Sequence, residues 1–167
     1  RGLVADGVDG ITTNCGFLSL FQEELASAVG VPVATSSLMQ VDMVNRLLPA
    51  GKKTGILTVS GSSLTAEHLR KARVPDGTPV GSTEGGREFT RVLLDNELEL
   101  DVEAARRDNV EAAEKLQQDH PELGAIVLEC TNMLPYAADI RDATGLPVYS
   151  MLSFVSWFQS GLVPRRF

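Results

Sequence analysis

Thr12-Thr13-Asn14-Cys15-Gly16-Phe17 is the stretch from which the rest of the chain is read, because it returns in altered form as Leu128-Glu129-Cys130-Thr131-Asn132. Cys15 and Cys130 are the only cysteines among 167 residues. Each follows a short apolar run, residues 8–11 and 125–128, and opens a segment that closes on Gly-hydrophobic-Pro-Val. Gly30 lies 30 − 15 = 15 residues after Cys15, and Gly145 lies 145 − 130 = 15 residues after Cys130. The shared offset of 130 − 15 = 115 also puts Ile11 on Ile126, Pro32 on Pro147 and Val33 on Val148. An internal duplication explains these coincidences together and makes the two cysteines equivalent positions.

Working outward, residues 11–13 read as a buried strand and residues 14–16 as the loop at its carboxyl end. Residues 17–29 place Phe17, Leu18, Phe21, Leu25 and Val29 at helical spacing and stop at Gly30. A short strand over 31–34 follows, then a helix capped within 35–37 whose buried face is Leu38, Val41, Val44, Leu47 and Leu48. The same alternation continues with strands at 54–59, 78–81, 123–128 and 147–150. Helices are predicted at 64–72, about 84–94, 102–118, 136–144 and 151–159. Strands that are apolar on both faces belong in a covered parallel sheet. The expected class is α/β, with two similar parallel-sheet units related by a pseudo-twofold axis.

The duplication predicts residues 1–51 as the remainder of the first unit and 52–167 as the second. The last strand and helix, about 146–167, are expected to pack on the first. The strands at 54–59 and 78–81 have no counterparts in residues 1–51. The repeat therefore predicts a first unit short by about 65 residues at its N-terminus.

Composition narrows the function. The chain is 43% hydrophobic and 22% charged, with net charge −7, which is ordinary for a globular protein. No Lys/Arg run exceeds two residues, so the basic footprint of a nucleic-acid binder is missing. No apolar run approaches the roughly 18 residues of a membrane span, and no leader pattern is visible, so a cytoplasmic location is expected. The expected partner is a small carboxylate substrate, with no nucleic acid and no membrane; a homo-oligomer is compatible with the sequence. Two distant thiols cannot close a structural zinc site, and His68 and His120 have no ligand spacing to either, so no metal is expected. Both histidines read as surface residues. No phosphate or dinucleotide fingerprint is present, and no cofactor is expected.

In parallel α/β sheets the loops at the carboxyl ends of strands form the ligand crevice. Both cysteines fall in such loops, before helices whose N-termini favour an anion and can lower a thiol pKa into the range of about 3.5 to 7.5. Two thiols on opposite faces of a carbon acid would invert it, one removing a proton while the other returns one. Thr13, Asn14, Thr131 and Asn132, with the N–H of Gly16 and its neighbours, are the candidates for holding the carboxylate and its enolate-like charge. Ser60 and Ser62 are candidates for lining the cleft, or else are caps. Glu129 either faces the thiol beside it or satisfies backbone donors.

The segments Thr12-Thr13-Asn14-Cys15-Gly16-Phe17-Leu18 and Leu128-Glu129-Cys130-Thr131-Asn132-Met133, with Pro135-Tyr136-Ala137 after it, resemble the two catalytic segments of the aspartate/glutamate/hydantoin racemase superfamily. The resemblance implies a cofactor-independent racemase or epimerase acting on an acidic amino acid, hydantoin or related carboxylate, with one catalytic cysteine, Cys15 and Cys130, from each of two domains. It also implies that a segment before Arg1 contributes to the site. Asn132 stands where many amino-acid racemases of the family have histidine, which argues against glutamate. A second thiol argues against an arylmalonate decarboxylase. Maleate-type cis–trans isomerases and other lyases of the superfamily stay open, as does a non-catalytic carboxylate-binding module.

Overall fold

The computed structural model describes residues 2–166. Its elements alternate as expected. They are α1 (Gly2–Ala5), β1 (Ile11–Thr12), α2 (Gln22–Ala28), β2 (Val33–Ala34), α3 (Val41–Leu47), β3 (Lys53–Thr58), α4 (Ala66–Lys71), β4 (Val80–Ser82), α5 (Phe89–Leu94), α6 (Val102–Asp119), β5 (Leu123–Leu128), α7 (Ala137–Thr144), β6 (Val148–Tyr149) and α8 (Met151–Leu162). All strand pairs are parallel, in a two-stranded sheet β1-β2 and a four-stranded sheet β4-β3-β5-β6.

The duplication is visible in the registers. Ile11 pairs with Val33 and Ile126 with Val148, so both partners shift by the same 126 − 11 = 148 − 33 = 115 residues. The bonds Ile11 N–H to Pro32 O and Ile126 N–H to Pro147 O, each 2.9 Å, obey it as well. β6 stays in the larger sheet beside β5. Tyr149 of β6 nevertheless packs on the cluster that holds Leu38 and Val41, and at the start of α8 Gln40 donates to Ser150 O at 3.0 Å and accepts from Ser153 at 3.1 Å.

The larger sheet is covered on both faces because its strands alternate. Leu57, Ile126 and Leu128 point into one core with Phe89, Ala105, Leu116 and Ile140 of α5, α6 and α7. Ile56 and Val127 point into the other with Leu38, Val41 and Leu64. Helix α3 therefore covers the second sheet, although it precedes residue 52. Leu38, Val41 and Val44 are fully buried, each stabilising by about 1.5–3 kcal/mol, and Asn45 Oδ1 accepts from Thr54 N–H at 2.7 Å.

Helix boundaries differ from the periodicity at three places. The predicted helix over 17–29 splits into a 3-10 segment, Gly16–Phe21, and α2; residues 37–47 divide likewise into Ser37–Gln40 and α3. The predicted 84–94 helix is a 3-10 turn, Thr83–Gly85, followed by α5. There Asp108 of α6 intrudes, its carboxylate accepting the N–H groups of Arg87, Glu88 and Phe89 at 2.7–3.1 Å. Residues 98–101 form a loop in which Leu98 is fully exposed, and Asp101 caps α6 by accepting from Glu103 and Ala104.

Candidate active site

Each cysteine is the last extended residue before a six-residue 3-10 segment, Gly16–Phe21 or Thr131–Tyr136. The first turn closes identically in both, Leu18 N–H on Cys15 O and Met133 N–H on Cys130 O at 3.1 Å. Both loops lie at carboxyl ends of parallel strands, β1 and β5, and they touch. The Thr131 hydroxyl donates to Asn14 O at 2.7 Å. Gly16 is buried under Glu129: a Cβ there would lie 2.6 Å from the Glu129 carbonyl oxygen, 2.8 Å from its carboxyl carbon and closer still to Oε1. Gly16 is needed for space, since its φ lies outside the left-handed region.

The first segment is pinned at the same place. Ser37 Oγ donates to Leu128 O at 2.7 Å and to Glu129 O at 3.2 Å. Thr13 Oγ1 donates to Thr35 O and, at 3.2 Å, to Cys15 O. Gln22 bridges α2 to β2, donating to Val33 O at 2.9 Å and accepting from Thr35 N–H and Oγ1 at 3.0 and 2.8 Å. The hydroxyl protons of Thr13 and Thr131 thus go to loop carbonyls, whereas the side chains of Asn14 and Asn132 are exposed.

The thiols share a position and differ in surroundings. Cys15 is exposed and Cys130 half-buried. Burial pushes the Cys130 thiol up to about 11; the Asn132 backbone N–H pulls the other way, the nearby Glu129 and Cys15 charges push up further, and the Asn132 side chain pulls down. The expected depression of a thiol by a helix N-terminus is therefore reversed at Cys130. Desolvation outweighs a 3-10 segment that aligns few peptide dipoles. Glu129 is 2% exposed. Burial raises its carboxyl too, opposed by one donor, Thr58 Oγ1, at 2.8 Å from Oε2. It satisfies no backbone donor through its side chain.

Ser60 and Ser62 are occupied by a carboxylate that nothing in the residue pattern singles out. Glu84 accepts from Ser60 Oγ at 2.8 Å, Ser62 Oγ at 2.5 Å, Ser82 Oγ at 3.0 Å and Gly61 N–H at 3.1 Å. These bonds, the Ser62 and Ser60 hydroxyls first, hold its carboxyl down to about 2. Twenty-two residues separate Glu84 from Ser62, so no local pattern announces the contact. His68 is likewise not a surface residue: it is 8% exposed, its ring 5.0 Å from that of Phe17 in the Cys15 segment. A surface concavity of about 570 Å³ lies elsewhere, beside Ser156, Gln159, Ser160 and Val163, and holds neither thiol.

The half-buried Cys130 and the exposed Cys15 thus lie in loops that touch. Solved structures with this architecture include a glutamate racemase from Bacillus anthracis, with TM-score 0.63 and 14% identity over 98% of this chain and 64% of that one. An arylmalonate decarboxylase variant matches with TM-score 0.66 and 17% identity over 97% and 70%. Allantoin racemase from Pseudomonas fluorescens matches with TM-score 0.64 and 18% identity over 92% and 61%. The chain has the fold of the aspartate/glutamate racemase superfamily. Within that racemase fold, similarity in sequence runs toward another activity. A dimethylsulfoniopropionate lyase of Durusdinium sp. clade D is 30% identical over 163 residues, 94% of this chain and 54% of that protein. Dimethylsulfoniopropionate lyase 7 of Emiliania huxleyi is 29% identical over 175 residues, 98% and 50%. The racemase-fold chain spans about half the length of these curated relatives, and no protein-family model matches it. Among the described residues no helix is long and apolar enough to cross a membrane.

Proposed function

We propose that this protein is a lyase of small β-substituted carboxylates, acting by abstraction of the proton α to the carboxylate. The observation that carries the reading is the inequality of the paired thiols, one exposed and one half-buried next to the buried Glu129 in sequence. Inversion at a carbon needs either thiol to serve as base in turn, whereas elimination needs one base. In this reading Cys15 takes the α-proton. The Cys130 thiol and the Asn132 amide donate hydrogen bonds to the charge growing on the carboxylate. The electron pair of the broken C–H bond forms the double bond and expels the β-substituent with its bonding electrons. Dimethylsulfoniopropionate would give acrylate and neutral dimethyl sulfide, the proton resting on Cys15. The names of the sequence relatives support this substrate class.

A second reading, racemisation of a carbon acid, is supported by the placement of the cysteines at equivalent positions of the repeat. One experiment separates the two. The protein is incubated in deuterium oxide, once with dimethylsulfoniopropionate and once with a single enantiomer of aspartate or a hydantoin. Equimolar acrylate and dimethyl sulfide support the lyase. Deuterium entry with inversion, and no acrylate, would overturn it in favour of the racemase. Neither product would leave a carboxylate binder. In the lyase, Cys15→Ala lowers kcat by about 10²–10⁴, the usual share of a general base, and Cys130→Ala by about 10²–10³, the share of a charge-stabilising donor.

A further inference from the structure

Among the described residues Glu129 is the one buried carboxyl whose surroundings include both thiol loops, and the proposed elimination makes no use of it. It adjoins Cys130 in sequence, its Oε1 presses on Gly16 next to Cys15, and its Oε2 takes its donor from the end of β3. Its carbonyl oxygen accepts from Ser37 of the first segment, and its N–H donates to Leu57 O at 2.9 Å. Four parts of the chain thus meet on one residue. A carboxyl is an expensive group to place there, because desolvation costs several kcal/mol unless the group is neutral or fully paired, and a single hydroxyl donor does not pair it fully. A leucine or glutamine of similar volume would fill the space more cheaply.

We propose that Glu129 is a positioning residue for the paired cysteines: its carboxyl, wedged between Thr58 and Gly16, fixes the approach of the two thiol loops and makes the two thiols unequal. The inference rests on the two-thiol reading of the site, while its geometry stands without any substrate. The wedge works because position 16 has no side chain, so the Cys15 loop settles directly on the carboxyl. Burial is the largest source of the inequality, and charge adds to it. The ionisable groups whose charges bear on Cys130 are Glu129 and Cys15, and only Glu129 is held in place by burial on all sides. At a pH where Glu129 is ionised it opposes loss of the Cys130 proton.

Thiol labelling without substrate tests this. The rate at which iodoacetamide modifies each cysteine is followed by peptide mass spectrometry from pH 6 to 11 in the wild type, Glu129→Gln, Glu129→Ala and Gly16→Ala. In Glu129→Gln, which keeps the volume and removes the charge, the Cys130 profile moves to lower pH, with at least threefold faster labelling at pH 9 and Cys15 within twofold of wild type. In Glu129→Ala and Gly16→Ala, which remove or displace the wedge, Cys130 labels at least fivefold faster at every pH. Cys15 changes as well, because its loop is no longer seated. A Cys130 profile that Glu129→Gln leaves within twofold of wild type, with circular dichroism showing a folded chain, would overturn the proposal. If the profiles move as expected and no acrylate is formed by the wild type, the lyase reading fails and the role of Glu129 stands.

Discussion

Among the described residues Thr58 is the only side chain that donates to the Glu129 carboxyl, across 2.8 Å, so the two residues form a pair that cannot be broken on one side without leaving a buried oxygen bare. Thr58→Val keeps the volume and the β-branching and removes the donor. It should cost about 1–3 kcal/mol, the penalty of an unsatisfied buried acceptor, measured by urea unfolding at pH 7. In the double variant with Glu129→Leu, which removes the acceptor too, most of that loss should disappear. At this scale the sequence was informative about which residues carry chemistry and silent about what they touch. The cysteines, Thr13, Asn14, Thr131 and Asn132 stand out because they recur. That Thr131 would spend its proton on Asn14 O, or that Ser60 and Ser62 would hold Glu84, depends on which loops meet, and no spacing along the chain records it.

Among the elements, the 3-10 segment Gly16–Phe21 and helix α4 are joined by a histidine that the charged pattern around it disguised. His68 accepts from Thr65 N–H at 3.1 Å, reciprocating the cap of α4, while Ser19 Oγ donates to its carbonyl at 3.1 Å. Burial holds His68 below its ordinary value of 6.5, against a weaker upward pull from Glu67. As pH falls below 6.5 the unfolded chain therefore takes up this proton before the folded one does. The stability His68 contributes is complete above that pH and declines as pH drops from 6.5 toward the folded value. Urea unfolding at pH 7.5 and 5.5 should show a larger loss for the wild type than for His68→Gln; equal losses would count against it. Element existence was legible nearly throughout, because a 3.6-residue period and a period of two are written in the apolar residues themselves. Boundaries were not. Leu18 and Phe21 fit the helical period equally well in a 3-10 turn, and the Gly86 break depends on Asp108, 22 residues away.

For the molecule as a whole, the segment before residue 52 and the sheet after it form one body. Helix α3 and the turn before it bury Leu38 and Val41 against Ile56 and Val127. Leu38→Ala should cost about 2–5 kcal/mol, as for other buried leucines. It should lower the unfolding midpoints seen by far-ultraviolet circular dichroism and by fluorescence of Trp157 in α8 to the same extent. Transitions that separate would show that the two sheets unfold independently. The spacing of the repeat anticipated the pairing of β1 with β2 and of β5 with β6, whose registers match at the same offset. Where α3 would dock could not be read, since an amphipathic helix declares that it has a buried face and not whose core that face enters.

Four of the bonds across the seam between the two repeats are of one kind. Ser37 to Leu128 O and Glu129 O, Thr131 to Asn14 O, and Gln40 to Ser150 O each join a side chain on one side to a main-chain carbonyl on the other. Every residue type carries that carbonyl. Positions 14, 128 and 150 can therefore change identity over descent without loosening the joint, whereas Ser37, Gln40 and Thr131 cannot. A chimera that takes its two halves from diverged relatives would need those three donors in common, together with Asn45, Ser153 and the fit of Gly16 against Glu129, to close.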